Sequence, residues 1–531
     1  MTVFCNSGVG TVELVRKARR GARLTRWGVA GALVVAATTS MSMSAPSAAA
    51  AAACTEGTGS DFNGDGLRDM AVADSEATVS GKAGAGLVRV VLGGDKGVFE
   101  ISQKLSGMTA DPETGDKFGS SIAVYDADKD GCDDLAVGAP YEDVTTSDGA
   151  QADAGAVYVI HGRPSGIGEG STIRSYTQAG LDGDTATEAG DLFGYALAAG
   201  TKSGGKPYLA IGVPGEAIGN VSDAGCIHYV QGTAKTTVNQ DDPDVPGVAE
   251  ANDRFGQSLA ATSRFIAVGA PGEAIGEESF AGAVTLFNHT IEDGRPTSLD
   301  GVDENHPALV SGASAKDDRF GTALSMVPYR PSGADSETDA LLAVGTPNEN
   351  VGTVADAGAV TVIRIKPSGA VTEANFMDRL ASGGDDRPAV SDFFGQRVAL
   401  ANTDPGATGT AETIKLAVSV PNQEVGAVEN AGAVHILSAL GSPGRGGKVL
   451  TRGHGLPGTA EPRDFVGLGL WGTYKDLYVG VPYSKTSGDR RGLVYAASWK
   501  HIEDGTGSVR TVKPGADGVP DEGKAFGSDI R

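Results

Sequence analysis

Three short motifs recur along this chain in a fixed order, and a sequence that repeats itself folds as an array of similar units packed on one another. The first is an apolar run ending in Gly-x-Pro: Leu135-Ala-Val-Gly-Ala-Pro140, Leu209-Ala-Ile-Gly-Val-Pro214, Ile266-Ala-Val-Gly-Ala-Pro271 and Leu342-Ala-Val-Gly-Thr-Pro347. Leu416-Ala-Val-Ser-Val-Pro421 and Leu477-Tyr-Val-Gly-Val-Pro482 follow, and Met70-Ala-Val-Ala-Asp74 is a diverged copy. The second is a run opened by Gly, at Gly86, Gly155, Gly225, Gly282, Gly358, Gly432 and Gly492. The third is Phe-Gly, beginning at Phe118, Phe193, Phe255, Phe320, Phe394 and Phe526, with Phe465-Val-Gly467 as a diverged member.

Neighbouring copies lie about 60 to 75 residues apart, which is room for four strands of the usual length with their loops. Pro ends a strand because it cannot donate to the ladder, and Gly and Ala admit close backbone neighbours. Phe supplies bulk between units. Of the 531 residues, 79 are Gly and 24 Pro, which weighs against a mainly helical chain. Tandem small sandwiches would each need their own core, and these repeats hold too few large apolar residues for that. The reading is all-β, a seven-bladed β-propeller over residues 54–531. The first blade begins without a Phe-Gly strand, whereas Phe526-Gly-Ser-Asp-Ile530 has no blade of its own. Pairing of the N- and C-terminal segments is therefore expected to close the ring.

These residues resemble the FG-GAP repeats of the integrin alpha-subunit propeller, a repeat also found in secreted bacterial proteins. The resemblance covers almost all of residues 54–531 and implies Phe-Gly on the first strand of a blade, Gly-Ala-Pro on the second and the Gly-opened strand third. The chain departs from integrins in having no recognisable leg, transmembrane segment or inserted adhesion domain.

The sharpest local signal is Asp61-Phe-Asn63-Gly-Asp65-Gly66-Leu67-Arg-Asp69, matched by Asp126-Ala-Asp128-Lys-Asp130-Gly131-Cys132-Asp-Asp134. Oxygen side chains stand at positions 1, 3, 5 and 9, Gly at the bend, and the carbonyls of Leu67 and Cys132 are available at position 7. Hard oxygen donors at this density favour calcium. Val72 and Val137 occupy the place where an EF-hand has its bidentate Glu, and strands rather than helices follow, so these read as hairpin calcium loops. The resemblance places such loops between the first and second strands and implies about two calcium ions. The alternative is a pair of metal-free acidic turns.

After each Gly-x-Pro comes a second recurring stretch holding Glu142, Glu216, Glu273, Asn348 with Glu349, and Glu424. By resemblance this loop lies opposite the calcium side, on the face that binds ligands. Repetition of turn chemistry accounts for the same Glu residues without any ligand. The seven His are scattered, with neither an H-E-x-x-H pair nor a G-x-S-x-G elbow, so no catalytic residue is assigned.

Residues 1–53 read as an export signal, with a basic stretch, an apolar run from about Trp27 to Thr39 and an Ala run to Ala53. That run is too short to span a bilayer, and no later segment suggests a transmembrane anchor. Arg19-Arg20 leaves twin-arginine export open, and Ala53-Cys54 leaves lipoprotein attachment open. The leader holds six basic residues and one acidic residue, so the 43 basic and 67 acidic residues of the chain fall to 37 and 66 without it. Such a field repels nucleic acid and attracts cations. Export permits one disulfide among Cys54, Cys132 and Cys226, with the pair left open. The sequence thus points to a secreted, calcium-binding recognition or adhesion module for an extracellular protein or glycan. An extracellular hydrolase is the alternative, since similar propellers accompany lipid-cleaving enzymes.

Overall fold

The apolar runs ahead of Gly-x-Pro become strands hidden on both faces: every residue of Asp134–Ala139, Phe265–Ala270 and Asp339–Thr346 is buried. A sheet buried on both faces needs a sheet against each of them, and a ring of sheets supplies that. The computed structural model describes Cys54 and residues 59–531, apart from 148, 182–185, 383–386, 442–446 and 488–489. The expected export signal at 1–53 lies outside the described residues.

Seven antiparallel sheets form the blades of a β-propeller. Blade 1 holds Met70–Asp74, Leu87–Val91 and Val98–Ile101, and blade 2 holds Ser121–Tyr125, Asp134–Ala139, Ala156–Ile160 and Ile173–Tyr176. Blades 3 to 7 repeat that four-strand meander from Ala196, Ser258, Ala323, Val398 and Gly469, with Gly455–Leu456 added in parallel at the outer edge of blade 6. The first strands line a central cavity of about 740 Å³, with Ala123, Ala198, Ala260 and Leu400 on its wall. Helix is scarce, the described α-helix being Trp499–Asp504.

The recurring glycines are explained by what faces them across each blade boundary. A Cβ on Gly155 of blade 2 would stand 2.3 Å from the Phe193 carbonyl oxygen of blade 3, and one on Gly138 would stand 2.1 Å from that of Gly194. The same pairings join Gly225 with Phe255, Gly282 with Phe320, and Gly358 with Phe394. Any side chain at these positions would push two blades apart. The Phe rings at 118, 193, 255, 320, 394 and 526 are completely buried beside these contacts. Where blade 6 has Ser419 in place of the Gly, blade 7 departs as well. There Val466, not Phe465, takes the Phe position, its N–H donating to Ala431 O as Phe394 N–H donates to Ala357 O.

The ring closes as expected. Ala71 and Arg531 exchange N–H···O bonds of 2.9 and 3.0 Å, Ala73 N–H donates to Asp529 O at 2.9 Å, and Val72 bridges Ile530 antiparallel. The C-terminal segment is thus the innermost strand of blade 1. Its Phe526 and Ile530 are fully buried with Met70, Val72, Val494 and Val512. The Asp74 carboxylate secures the approach by accepting from Lys524 N–H and Ala525 N–H at 3.0 and 2.7 Å.

Cys54 pairs with Cys132, 78 residues away, and Cys226 is a buried thiol outside that bond. A sulfur held in a disulfide is not available for lipid attachment, so the lipoprotein alternative at Cys54 does not fit this structure.

Deleting residues 524–531 is expected to cost more than about 5 kcal/mol, because burial of Phe526 and Ile530 is lost together with a whole strand ladder. Thermal melting checks this, and a truncated chain that melts with the parent would contradict the closure.

Candidate functional site

The two Asp-rich loops fold alike because their carboxylates replace backbone partners in the same order. The first Asp accepts the N–H groups at positions 5 and 6: Asp65 and Gly66 donate to Asp61 at 3.1 and 2.7 Å, and Asp130 and Gly131 donate to Asp126 at 3.2 and 3.1 Å. The last Asp fixes the loop to its own blade. Asp69 accepts from Phe62 and Gly93, and Asp134 from Ala127 and Gly162. Asn63 and Asp128 each accept the position-5 N–H at 3.2 Å, while Asp65 and Asp130 accept from Leu67 and Cys132 at 2.8 Å.

Side by side, the loops brace one another. Asp61 N–H donates to the Asp133 carboxylate at 2.9 Å, Asp133 N–H returns to Asp61 O at 2.9 Å, and the Cys54–Cys132 disulfide ties the entry of the first loop to the second. In the second loop the ligand oxygens of Asp126, Asp128 and Asp130 lie within 4.8 Å of one another. His161 Nδ1 stands 2.9 Å from Asp128 and 3.1 Å from Asp134. In the first loop Lys96 Nζ reaches Asp65 at 2.7 Å.

The electrostatics record crowding. Burial, opposed only partly by hydrogen bonds, lifts Asp69 to about 6. Burial also raises Asp130, with the neighbouring Asp128 and Asp126 adding to it. At Asp65 burial is the largest single influence, but Lys96 and hydrogen bonds together outweigh it, and its pKa falls below the ordinary value.

Three of the carboxylates expected to face a ligand are instead turned inward. Glu142, Glu216 and Glu273 are buried at the boundaries between blades, Asn348 and Glu349 are half-buried, and Glu424 alone of the six is exposed. Gln423, not Glu424, occupies the equivalent repeat position. It is buried and meets His435 Nε2 at 2.7 Å. The inward turn has a partner that the sequence reading missed, a polar residue just past the outermost strand of the preceding blade. Gln103 and Gln178 donate to Glu142 and Glu216, and Gln240 donates to Glu273 at 2.5 Å.

A third member belongs to six of the seven boundaries, an Asp near the start of the following Phe-Gly strand. Asp116, Asp191, Asp253, Asp318, Asp392 and Asp464 each accept the N–H three residues earlier. The recurrence of Asp-x-Phe-Gly is the sequence signal that marks these seams. At the last two, Arg379 pairs with Asp392, and Arg452 meets Asp464 at 2.7 Å.

The fold and the repeated contacts define a seven-bladed β-propeller whose blade boundaries carry the Phe-Gly and Gly-x-Pro repeats. The FG-GAP repeat family model matches residues 118–160, which is most of blade 2. Integrin alpha-PS5 of Drosophila melanogaster is 31% identical over 158 residues, covering 29% of this chain and 14% of that protein. Phosphatidylinositol-glycan-specific phospholipase D of Rattus norvegicus is 33% identical over 110 residues, covering 20% of this chain and 13% of that protein. The Dictyostelium discoideum protein of the same name is 25% identical over 330 residues, covering 57% and 33%. The chain therefore matches a third or less of the length of these relatives. Among solved structures, a putative 6-phosphogluconolactonase from Bacteroides fragilis superposes with a TM-score of 0.41 at 11% identity, covering 87% of this chain and 97% of that one. Among the described residues no helix is long and apolar enough to cross a membrane.

Burial, with Asp116, Glu113 and Asp143 nearby, lifts Glu142 to about 8, and burial lifts Glu273 to about 7. A carboxyl whose folded pKa is raised stabilises the fold at low pH, and that contribution is lost as pH rises through the folded value. Gln103 donates its amide to the Glu142 carboxyl, and its own Oε1 is buried without a partner. Glu142→Gln is expected to leave melting at pH 4.5 nearly unchanged and to raise the melting temperature by several degrees at pH 8.5. Melting curves across that range check this, and parallel pH profiles would contradict it.

Proposed function

We propose that this chain is an extracellular recognition module in which calcium in the two Asp loops stiffens one side of the propeller while the opposite side binds a protein or glycan. The observation that carries the reading is the identical architecture of two adjacent nine-residue loops. Each presents carboxylate oxygens and a carbonyl at position 7, and the second holds three carboxylates within 4.8 Å, with His161 beside Asp128 and, among the described residues, no Lys or Arg paired with the three. Asp61, Asn63, Asp65, the Leu67 carbonyl and Asp69 would hold one ion. Asp126, Asp128, Asp130, the Cys132 carbonyl and Asp134 would hold the other. Similarity to an integrin alpha subunit supports a recognition role. A disulfide between Cys54 and Cys132 is consistent with export, which the 1–53 segment would direct.

Because Glu142, Glu216 and Glu273 are buried, contact with a ligand falls to what surrounds them. Tyr141 and Tyr195, each 36% exposed, line the central opening on the side of the second-to-third-strand loops. Exposed Tyr offers broad contact area at little entropic cost, as recognition surfaces require. A hydrolase reading is favoured by the similarity to phosphatidylinositol-glycan-specific phospholipase D. Release of a glycan-anchored substrate by the purified chain would establish it in place of recognition.

Titration calorimetry is expected to show two calcium ions per chain, and Asp126→Ala with Asp128→Ala to remove one. With calcium a hundredfold above Kd, each ion adds about 2.7 kcal/mol of stability, so a chelator should lower the melting temperature. No heat of binding and unchanged melting would overturn the calcium reading.

The double variant Tyr141→Ala and Tyr195→Ala is expected to melt within a few degrees of the parent, because partly exposed loop positions cost little. On arrays of immobilised extracellular proteins and glycans it should lose at least tenfold in capture. Equal capture would move the binding surface elsewhere.

A further inference from the structure

The boundary between blades 4 and 5 breaks the charge rule that the other described seams obey. Where blades 1, 2 and 3 end in Gln103, Gln178 and Gln240, blade 4 ends in Glu304, and where blades 5 and 6 end there is Arg379 or Arg452. An amide or a guanidinium donates to the carboxylate of the following blade. A Glu donates nothing when ionised. The result at this one seam is Glu304, Asp318 and Glu349 with ligand oxygens within 4.8 Å of one another.

Glu304 is only 2% exposed, and both of its carboxylate oxygens are buried without a hydrogen-bond partner. One oxygen of Glu349 is in the same condition. Asp318 is 1% exposed and spends one oxygen on the Ala315 N–H at 2.6 Å. Among the described residues no basic side chain pairs with any of the three. Buried acceptors left unsatisfied are costly, and three ionised carboxylates together are costlier still unless a cation or protons sit between them. Burial first, and the neighbouring acids second, push Glu304 to about 9. The strand position where blade 2 has Tyr158 and blade 6 has His435 is held here by Thr361, a smaller side chain whose hydroxyl is buried and unpartnered. Glu349, half-buried, leaves the cluster a route to solvent.

We propose that Glu304, Asp318 and Glu349 form a third cation site, between blades 4 and 5, for a hard divalent ion of the calcium, magnesium or manganese class. All donors are oxygens, which excludes a preference for soft metals, and three carboxylates overcompensate a double charge, which favours tight retention. The site is separate from the Asp hairpin loops and does not depend on their binding calcium. It joins the outer edge of one blade to the loop and Phe-Gly entry of the next, so an ion there would pin that boundary as Arg379 and Arg452 pin theirs.

Glu304→Gln restores the residue of three other seams and is expected to fold. Full-length parent and variant are titrated in parallel with calcium, magnesium and manganese at pH 7.5 by calorimetry, and with manganese by electron paramagnetic resonance. The parent should bind one more ion per chain than the variant for at least one of these metals, whatever number the Asp loops contribute. In chelator at pH 8 the variant should melt above the parent, since its seam no longer has to take up a proton on folding or bury a bare charge. Glu349→Gln, which borrows the residue at 423, should lose the same single ion. Equal stoichiometry in parent and both variants for all three metals would overturn the site and leave the cluster neutralised by protons. Failure of the Asp-loop calcium reading would instead appear as a parent that binds one ion and variants that bind none.

Discussion

Backbone meeting backbone at the blade boundaries is the contact on which the ring depends. Two glycines on each of blades 2 to 5 and 7, and one on blades 1 and 6, lie so close to the Phe-Gly entry of the next that a single Cβ would come within about 2.0–2.5 Å of a carbonyl oxygen or amide nitrogen. That distance allows no side chain, so the angle between sheets is set by main-chain geometry rather than by how apolar groups happen to fill space. The buried Phe beside each contact then fills what the glycines leave open. Blade 6 shows the coupling by exception. Ser419 stands where a Gly is usual, and the partner strand answers by seating Val466 in the Phe position.

Much of this was legible because backbone constraints leave unmistakable residues. Gly at a close approach and Pro at a strand end cannot be exchanged for anything else, and their order along the chain reported the blade plan and the closing strand. The matching turns of the two Asp loops were legible for a related reason, since side-chain oxygens at alternate positions satisfy the backbone N–H groups of a tight turn. The seams were not. Their three members come from an outer strand of one blade, a loop of the next and the entry to its first strand, and no local pattern says that Gln240 will meet Glu273 across 33 residues. The Glu residues were therefore placed on an outer face, and Glu424 was chosen one position away from the buried Gln423. The recurrent Asp before Phe-Gly was the clue, and it reads as simple turn chemistry until the partners are seen in space.

Polar seams in so acidic a protein have a physical logic. With a net charge of −24, the surface repels itself, and a ring of apolar boundaries alone would fix neither the order nor the rotation of the sheets. A buried amide–carboxylate or Arg–carboxylate pair has one satisfactory geometry, so the five boundaries that hold one accept their neighbours in a single register. The two Asp loops add a further brace between blades 1 and 2, through the Asp61–Asp133 bonds and the disulfide. Stiffness is thus concentrated next to the place where the ring is joined.

That join also orders events in time. Lys524 and Asp74, in contact in the finished ring, are 450 residues apart in sequence, and the strand that completes blade 1 is synthesised after all six other blades. Until it arrives, Met70 and Val72 have no inner neighbour, and the strand edge of blade 1 stays open. A chain of this topology is therefore long-lived as an incomplete arc, with its slowest step the capture of a distant strand. The same open edge is where two unfinished arcs would join each other by mistake.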